Sequence, residues 1–321
     1  SSQLHEVLFD KRPAAAARDE QLVLIWGMSP GLLSVQRLSL RGGTPRQIGP
    51  DIPGIRPPFH GIQVAIGDDG TVYVASEAAG FVVVSEAGAQ TIGPSEGAPG
   101  ERVQALAWLD GKLYVTFENA FSVFDPASKR FELLGSAAAV QPDSLLDGGA
   151  GYVIFEMLAD SGNHCLWFQV QANTADSSRG GIWRYEPKNN KFTHVSDRDS
   201  KAHLSESLIV ASYWYDSTWS EVDRKTCTIK RLLEYAPKKA SPRLHSGNLT
   251  MLRFGRNIID VHGRLFTPDG HVHELAIEGT WPFLQHAESG FLTHFDSRKS
   301  ALWMVTPRQH TASAKPNPSS D

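Results

Sequence analysis

The chain is short of cysteine, of net charge, of long apolar runs and of helical periodicity, and each shortage removes a class of protein. Two cysteines in 321 residues, Cys165 and Cys227, cannot build a disulfide framework, and neither belongs to a C-x-x-C metal spacing. Both lie in apolar strand-like segments, Cys165-Leu-Trp-Phe and Thr226-Cys227-Thr-Ile, and read as buried thiols, with a single bridge as the alternative. A formal net charge of −4 gives no electrostatic reason to expect nucleic acid or an anionic membrane as partner. No apolar run approaches bilayer length, so the chain reads as soluble with no membrane span. Only Pro13-Ala-Ala-Ala-Ala-Arg-Asp-Glu20 reads as a helical turn or two, or else a loop. The Ser1-Ser2 start reads as processed or trimmed. It leaves the compartment open, secretion included, and permits the chain to be a sensor or adhesion region of a larger protein.

What the chain does have is a repeat. Asp69-Gly70-Thr71-Val72-Tyr73-Val74 is followed by Gly80-Phe81-Val82-Val83-Val84 and then Thr91-Ile92-Gly93. Asp110-Gly111-Lys112-Leu113-Tyr114-Val115 is followed by Phe121-Ser122-Val123-Phe124 and then Leu133-Leu134-Gly135. Tyr73 and Tyr114 stand 41 apart, Phe81 and Phe121 stand 40 apart, and Gly93 and Gly135 stand 42 apart. A period of this length, filled with short strands and turns, signals a propeller blade. Six units can be followed, with closing strands near 48, 92, 134, 194, 232 and 275. Their intervals are 44, 42, 60, 38 and 43 residues, the long one absorbing loops at Gly135–Asp143 and Gln171–Gly180. Turns such as Phe124-Asp125-Pro126 and Tyr185-Glu186-Pro187 fit hairpins, because Pro presets the first turn dihedral. Phe291–Phe295 and Ala301–Val305 read as the two inner strands of a further blade, which Leu4–Phe9 could complete.

The expected fold is therefore all-β: a β-propeller of six or seven four-stranded blades around a central channel, seven being the better fit. It occupies 1–306 as a single domain, and the Pro-, Ser-, Lys- and Asn-containing 307–321 reads as a disordered C-terminal tail. Trp108, Trp167, Trp183, Trp214 and Trp303 are expected to pack between blades.

Units three and four carry a Gly-x-Leu-Tyr-Val … Phe/Trp-x-x-Phe/Tyr-Asp/Glu-Pro … Phe pattern. It resembles bacterial β-propeller repeats of the kelch-like, NHL-like and two-component-regulator type, over about 70–310. The Gly-His and Trp-Asp pair of WD40 repeats is missing, as is a regularly spaced kelch double glycine. The resemblance implies the fold and no family-specific activity.

In such a fold the loops leading into the inner strands gather on one face. Here they hold Arg56, His60 and Gln63; Glu101, Arg102 and Gln104; His203 and Glu206; Arg243, His245 and Asn248; and His286 with Glu288. Gln63 and Gln104, 41 apart, are expected at equivalent positions facing the axis. Arg56, His60, Gln63, Arg102, Gln104, Glu206, Arg243, Asn248 and Glu288 are the candidate ligand-binding residues, since guanidinium and imidazole suit carboxylates and polar groups. His60, His203, His245 and His286 are candidate ligands for a divalent metal, the only cofactor the sequence suggests. The favoured function is a binding module presenting this His/Arg/Gln face to a protein or a polar small molecule. The alternative is a propeller lyase or hydrolase that uses axial histidines, with or without metal. No catalytic residue is assigned.

Three other matches read as structural. Gly27-Met28-Ser29-Pro30-Gly31 fits a nucleophile elbow, but that motif needs a following helix, and a hairpin is expected instead. His271 and His273 share a strand face at a solvated edge, and Asn248-Leu-Thr250 is a lone sequon.

Overall fold

The computed structural model describes residues 14–18, 21–29, 32–39, 46–55, 63–118, 120–136, 152–172, 180–196, 200–204, 209–213, 218–234, 251–254, 257–260, 264–267, 271–274, 281–286, 291–296 and 301–305. Among these residues there is no α-helix, and the strands form seven antiparallel sheets in chain order. Sheet 1 contains β1 (Ala14–Arg18), β2 (Gln21–Ser29), β3 (Leu32–Ser39), β4 (Arg46–Gln47) and β5 (Ile52–Pro53), the last pairing with β3. Sheet 2 is β6 (Val64–Ile66), β7 (Val72–Ala75), β8 (Phe81–Ser85) and β9 (Gly88–Ile92). Sheet 3 is β10 (Val103–Leu109), β11 (Lys112–Phe117), β12 (Ala120–Asp125) and β13 (Arg130–Ser136). Sheet 4 is β14 (Tyr152–Asp160), β15 (Cys165–Ala172), β16 (Gly181–Glu186) and β17 (Lys191–His194). Sheet 5 is β18 (Ser200–Leu204), β19 (Ile209–Tyr213), β20 (Thr218–Val222) and β21 (Ile229–Glu234). Sheet 6 is β22 (Met251–Phe254), β23 (Asn257–Asp260), β24 (Arg264–Phe266) and β25 (Val272–Glu274). Sheet 7 is β26 (Trp281–His286), β27 (Phe291–Asp296) and β28 (Ala301–Val305).

The first strands of these meanders neighbour one another. β1 touches β6, β6 touches β10, β10 touches β14, β14 touches β18, β22 touches β26, and β26 lies against β1. These contacts run from sheet 6 through sheets 7 and 1 to sheet 5, so the sheets radiate from a row of neighbouring first strands, as in a propeller.

Period-two alternation holds the sheets together. In sheet 3, Ala105, Ala107, Leu109, Tyr114, Phe121 and Val123 face sheet 4 and pack on Ile154, Phe168, Trp183 and Tyr185. Val103, Leu106, Leu113, Val115, Phe117 and Phe124 face the other way, onto Tyr73, Ala75 and Phe81 of sheet 2. Successive side chains of a strand point to opposite faces, so a strand between two neighbours must be apolar on both. Phe121 is the centre of one seam, with Tyr185 at 5.0 Å and Phe168 at 5.5 Å, both edge-on. Burying such a ring contributes about 2–3 kcal/mol. Trp108 lies flat on Tyr73 at 5.4 Å, Trp167 and Trp183 are buried between sheets, and Trp303 lies in β28; Trp214 falls outside the described residues.

Aspartates shape the turns at one end of the sheets. Asp69 Oδ1 accepts the Thr71 N–H, Asp125 Oδ1 accepts those of Ala127 and Ser128, and Asp223 Oδ1 accepts those of Lys225 and Thr226. These Asx turns mimic a backbone turn. The N–H groups of Ala127 and Ser128 hold the Asp125 carboxyl below the usual carboxylate range. At the opposite end, Gly80 turns β7 into β8 with φ +79, and a Cβ there would strike the Ile92 carbonyl.

Four local expectations are corrected. Ala14–Arg18 is a strand paired with Gln21–Ile25, not a helical turn or loop: pairing and packing against β6 and β26 override alanine's helix preference. The first strand of sheet 5 is Ser200–Leu204, one strand earlier than the Leu208–Tyr215 segment suggests. Phe291–Asp296 and Ala301–Val305 are the second and third strands of sheet 7, because Trp281–His286 precedes them despite Pro282. That proline is tolerated beside the register shift between Pro282 and Leu284. Cys227 is in the turn between β20 and β21, not in a strand. Leu4–Phe9 and 307–321 fall outside the described residues, as do 137–150 and 173–179, which contain most of the two expected long loops.

Candidate functional site

Each sheet is a meander that begins at the centre, so the first strands run in the same direction and their starts share one face. Gln63 is half-buried directly before β6, and its carbonyl accepts the Ala75 N–H. Arg102 directly precedes β10. Its guanidinium is exposed and lies 3.4 Å from Glu118, while its carbonyl accepts the Glu118 N–H.

Gln104 differs from the expectation of equivalence with Gln63. The ladder pairs Val103 with Phe117 and then Ala105 with Thr116, so Gln104 is the extra residue of a β-bulge. Ala105, not Gln104, therefore holds the ladder position that Gln63 holds opposite Ala75 in sheet 2. Thr116 secures the bulge: its Oγ accepts the Ala105 N–H at 2.9 Å and donates to the Ala105 carbonyl at 3.1 Å. Gln104 Oε1 is thereby free to reach across the seam and accept the Ile154 N–H of β14 at 3.2 Å. A similar register shift follows in β14, between Ile154 and Glu156.

His203 and His286 are within first strands and not in the loops before them. His203 pairs with Val210 near the end of β18, and His286 pairs with Phe291 as the last residue of β26. They belong to the end opposite Gln63 and Arg102. Glu206 and Glu288 follow those strand ends in sequence and fall outside the described residues, as do Arg56, His60, Arg243, His245 and Asn248. Among the described residues no group of three His, Cys, Asp or Glu side chains could hold a metal ion. His271 and His273 are exposed, their rings 6.5 Å apart. Ser29 ends β2 and pairs with Leu32 of β3, so the Gly-x-Ser-x-Gly match joins two strands and no helix.

A second polar cluster lies in the seam between sheets 4 and 5. Cys165, Trp167, Ile182 and Val222 are buried together, with Cys227 packed against them, and both cysteines are free thiols. Arg184 of β16 enters this seam. Its guanidinium donates to Cys227 Sγ at 3.6 Å, pairs with Glu186 at 2.8 Å, reaches the Cys165 thiol and stacks over Trp167 at 5.9 Å. Arg184 Nε is buried without a hydrogen-bond partner. Burial pushes the Cys165 thiol up, and Arg184 pulls partly back. Beside it, Asp160 is only 5% exposed and accepts from Trp167 Nε1 at 3.3 Å and from the Asn163 amide at 2.9 Å, with Arg224 at 3.6 Å. The signal in the sequence was Arg184 itself, an arginine between two aromatics in Trp183-Arg184-Tyr185. In a strand apolar on both faces, the intervening residue points into the other seam.

The fold and these seams define a β-propeller repeat protein. No family model matches the chain, and no curated protein matches it. Solved structures do. PorZ, described as an essential bacterial surface component of the type-IX secretion system of Porphyromonas gingivalis, is similar at 13% identity, with 90% of this chain and 45% of that one covered and a TM-score of 0.57. The Cps50 (Swd1) beta-propeller domain of Myceliophteria thermophila is similar at 9% identity, with 92% and 96% covered and a TM-score of 0.56. The extracellular domain of a putative hybrid two-component system from B. thetaiotaomicron is similar at 13% identity, with 91% and 38% covered and a TM-score of 0.51. The chain thus spans less than half the length of the first and third of these proteins. Among the described residues no helix is long and apolar enough to cross a membrane.

Proposed function

We propose that the chain is a propeller binding module, whose loops leading into the first strands present a polar face to a protein or a polar small-molecule ligand. Arg102 carries this reading. It sits at the start of β10 above an apolar seam, and its ion pair with Glu118 joins side chains 66% and 54% exposed. Such a pair contributes little to stability, so a ligand carboxylate can compete for the guanidinium. Gln63 stands at the start of β6. Arg56 and His60 precede that strand in sequence, and Arg243, His245 and Asn248 precede β22.

The reading also divides the original set. His203 and His286 lie near the far ends of their strands, and Glu206 and Glu288 follow them in sequence. A first strand of five residues spans about 16 Å, whereas metal ligands lie about 2 Å from the ion. The proposal therefore has no metal shared by His60, His203, His245 and His286, and it assigns no catalytic role to these histidines.

The test is affinity capture with the purified chain. An Arg56→Glu/Arg102→Glu/Arg243→Glu variant is expected to lose the bound partner, while Lys129→Glu, at the opposite end of sheet 3, keeps it. Equal capture by both variants overturns the assignment of this face.

A further inference from the structure

The seam between sheets 4 and 5 brings together the two cysteines of the chain from different sheets. Cys165 opens β15 and is completely buried; Cys227 is half-buried in the Asp223–Thr228 turn of sheet 5. Both thiols reach the guanidinium of Arg184. The turn holds Cys227 at φ +58, a left-handed conformation for which glycine or asparagine is the usual occupant. The Asp223 carbonyl accepts its N–H and fixes the turn, so the side chain is aimed at the seam.

We propose that Cys165 and Cys227 are a reversible dithiol–disulfide pair that staples sheet 4 to sheet 5. The oxidant is a low-molecular-weight disulfide. The more accessible Cys227 thiolate, held beside Arg184, attacks one sulfur of the oxidant; a Cys227 mixed disulfide forms and one small thiolate leaves. Cys165 then gives up its proton and attacks Cys227 Sγ. The protein disulfide forms and the second small thiolate leaves. Two protein thiols and one small disulfide thus become one protein disulfide and two small thiols. Arg184 is a positioning residue in both steps, since its guanidinium holds Cys227 Sγ at 3.6 Å in the seam that contains Cys165.

The experiment uses the intact chain with oxidised glutathione as the oxidant, followed by thiol titration and non-reducing tryptic mapping. The expected result is loss of both thiols and a cross-linked pair made of Phe131–Arg179 and Thr226–Lys230, restored to separate peptides by a reductant. A Cys165→Ser variant is expected to stop at the glutathione adduct on Cys227. An Arg184→Gln variant is expected to close at least several-fold more slowly, whatever its effect on folding stability. Two free thiols after prolonged oxidation, or a wild-type chain that stops at the Cys227 adduct, overturns the proposal.

Discussion

Two neighbouring seams of this propeller solve the same problem with different chemistry. Between sheets 3 and 4, Tyr114, Phe121, Phe168, Tyr185 and Phe192 fill the space with rings. Between sheets 4 and 5, the buried apolar group is small, and Asp160, Arg184 and Arg224 share the interior with the cysteines. The first seam needs only shape and apolar area. The second has to satisfy groups that are costly to bury alone, so it depends on specific partners. A repeat can thus conserve its strand order while one seam becomes a chemical site.

The largest expected effect is in the aromatic seam. Phe121→Ala should cost about 3–5 kcal/mol, because the ring's space cannot collapse between two sheets. Chemical denaturation measures it, and a loss under about 1 kcal/mol would show that the seam does not pack around Phe121. Asp160→Asn in the polar seam should cost about 2–3 kcal/mol, since Trp167 Nε1, the Asn163 side chain and Arg224 lose a charged acceptor while the shape is kept. If the isosteric change is silent, the two seams do not differ in the way described.

Alkaline pH probes a third seam, between sheets 2 and 3, which like the first is packed with rings. Burial, with Asp69 and Asp68 adding to it, pushes the Tyr73 phenol up to about 12, and burial raises Tyr185 as well. A raised folded-state value means that the neutral phenol is favoured by the fold. Its contribution is complete below the ordinary 10.0 and is lost as pH rises through about 12. Tyr73→Phe should flatten that part of the stability profile. An unchanged profile would mean that Tyr73 does not ionise at the expense of the seam between sheets 2 and 3.

Gln104 gives the smallest effect. Gln104→Leu leaves the Ile154 N–H without its acceptor and should cost about 1–2 kcal/mol. Faster amide exchange at Ile154 is the local reading. No change there would remove the bridge between the two bulged strands.

Much of this fold was legible because the repeat is written in residues with fixed ladder positions. Tyr73 pairs with Ala65 and Tyr114 with Ala107, so two tyrosines 41 apart mark one position in successive sheets. Hairpin turns at Asp125-Pro126 and Glu186-Pro187 were equally plain. What failed to show was non-local. Four alanines read as a helical turn or a loop until β2, β6 and β26 are seen to neighbour them. A bulge carries no residue signature, so Gln104 looked equivalent to Gln63. Strand starts can slip by one strand, and this placed His203 and His286 at the wrong end. The cluster around Arg184 joins positions 160 to 227, a contact that no local pattern encodes.

The central claim is radial packing of sheets about neighbouring first strands, and a crystal structure of the chain tests it most directly. The account predicts β26 beside β1, Phe121 between sheets 3 and 4, and both cysteines on the Arg184 guanidinium. A β-sandwich, or two separate lobes with β1 and β26 far apart, would contradict it.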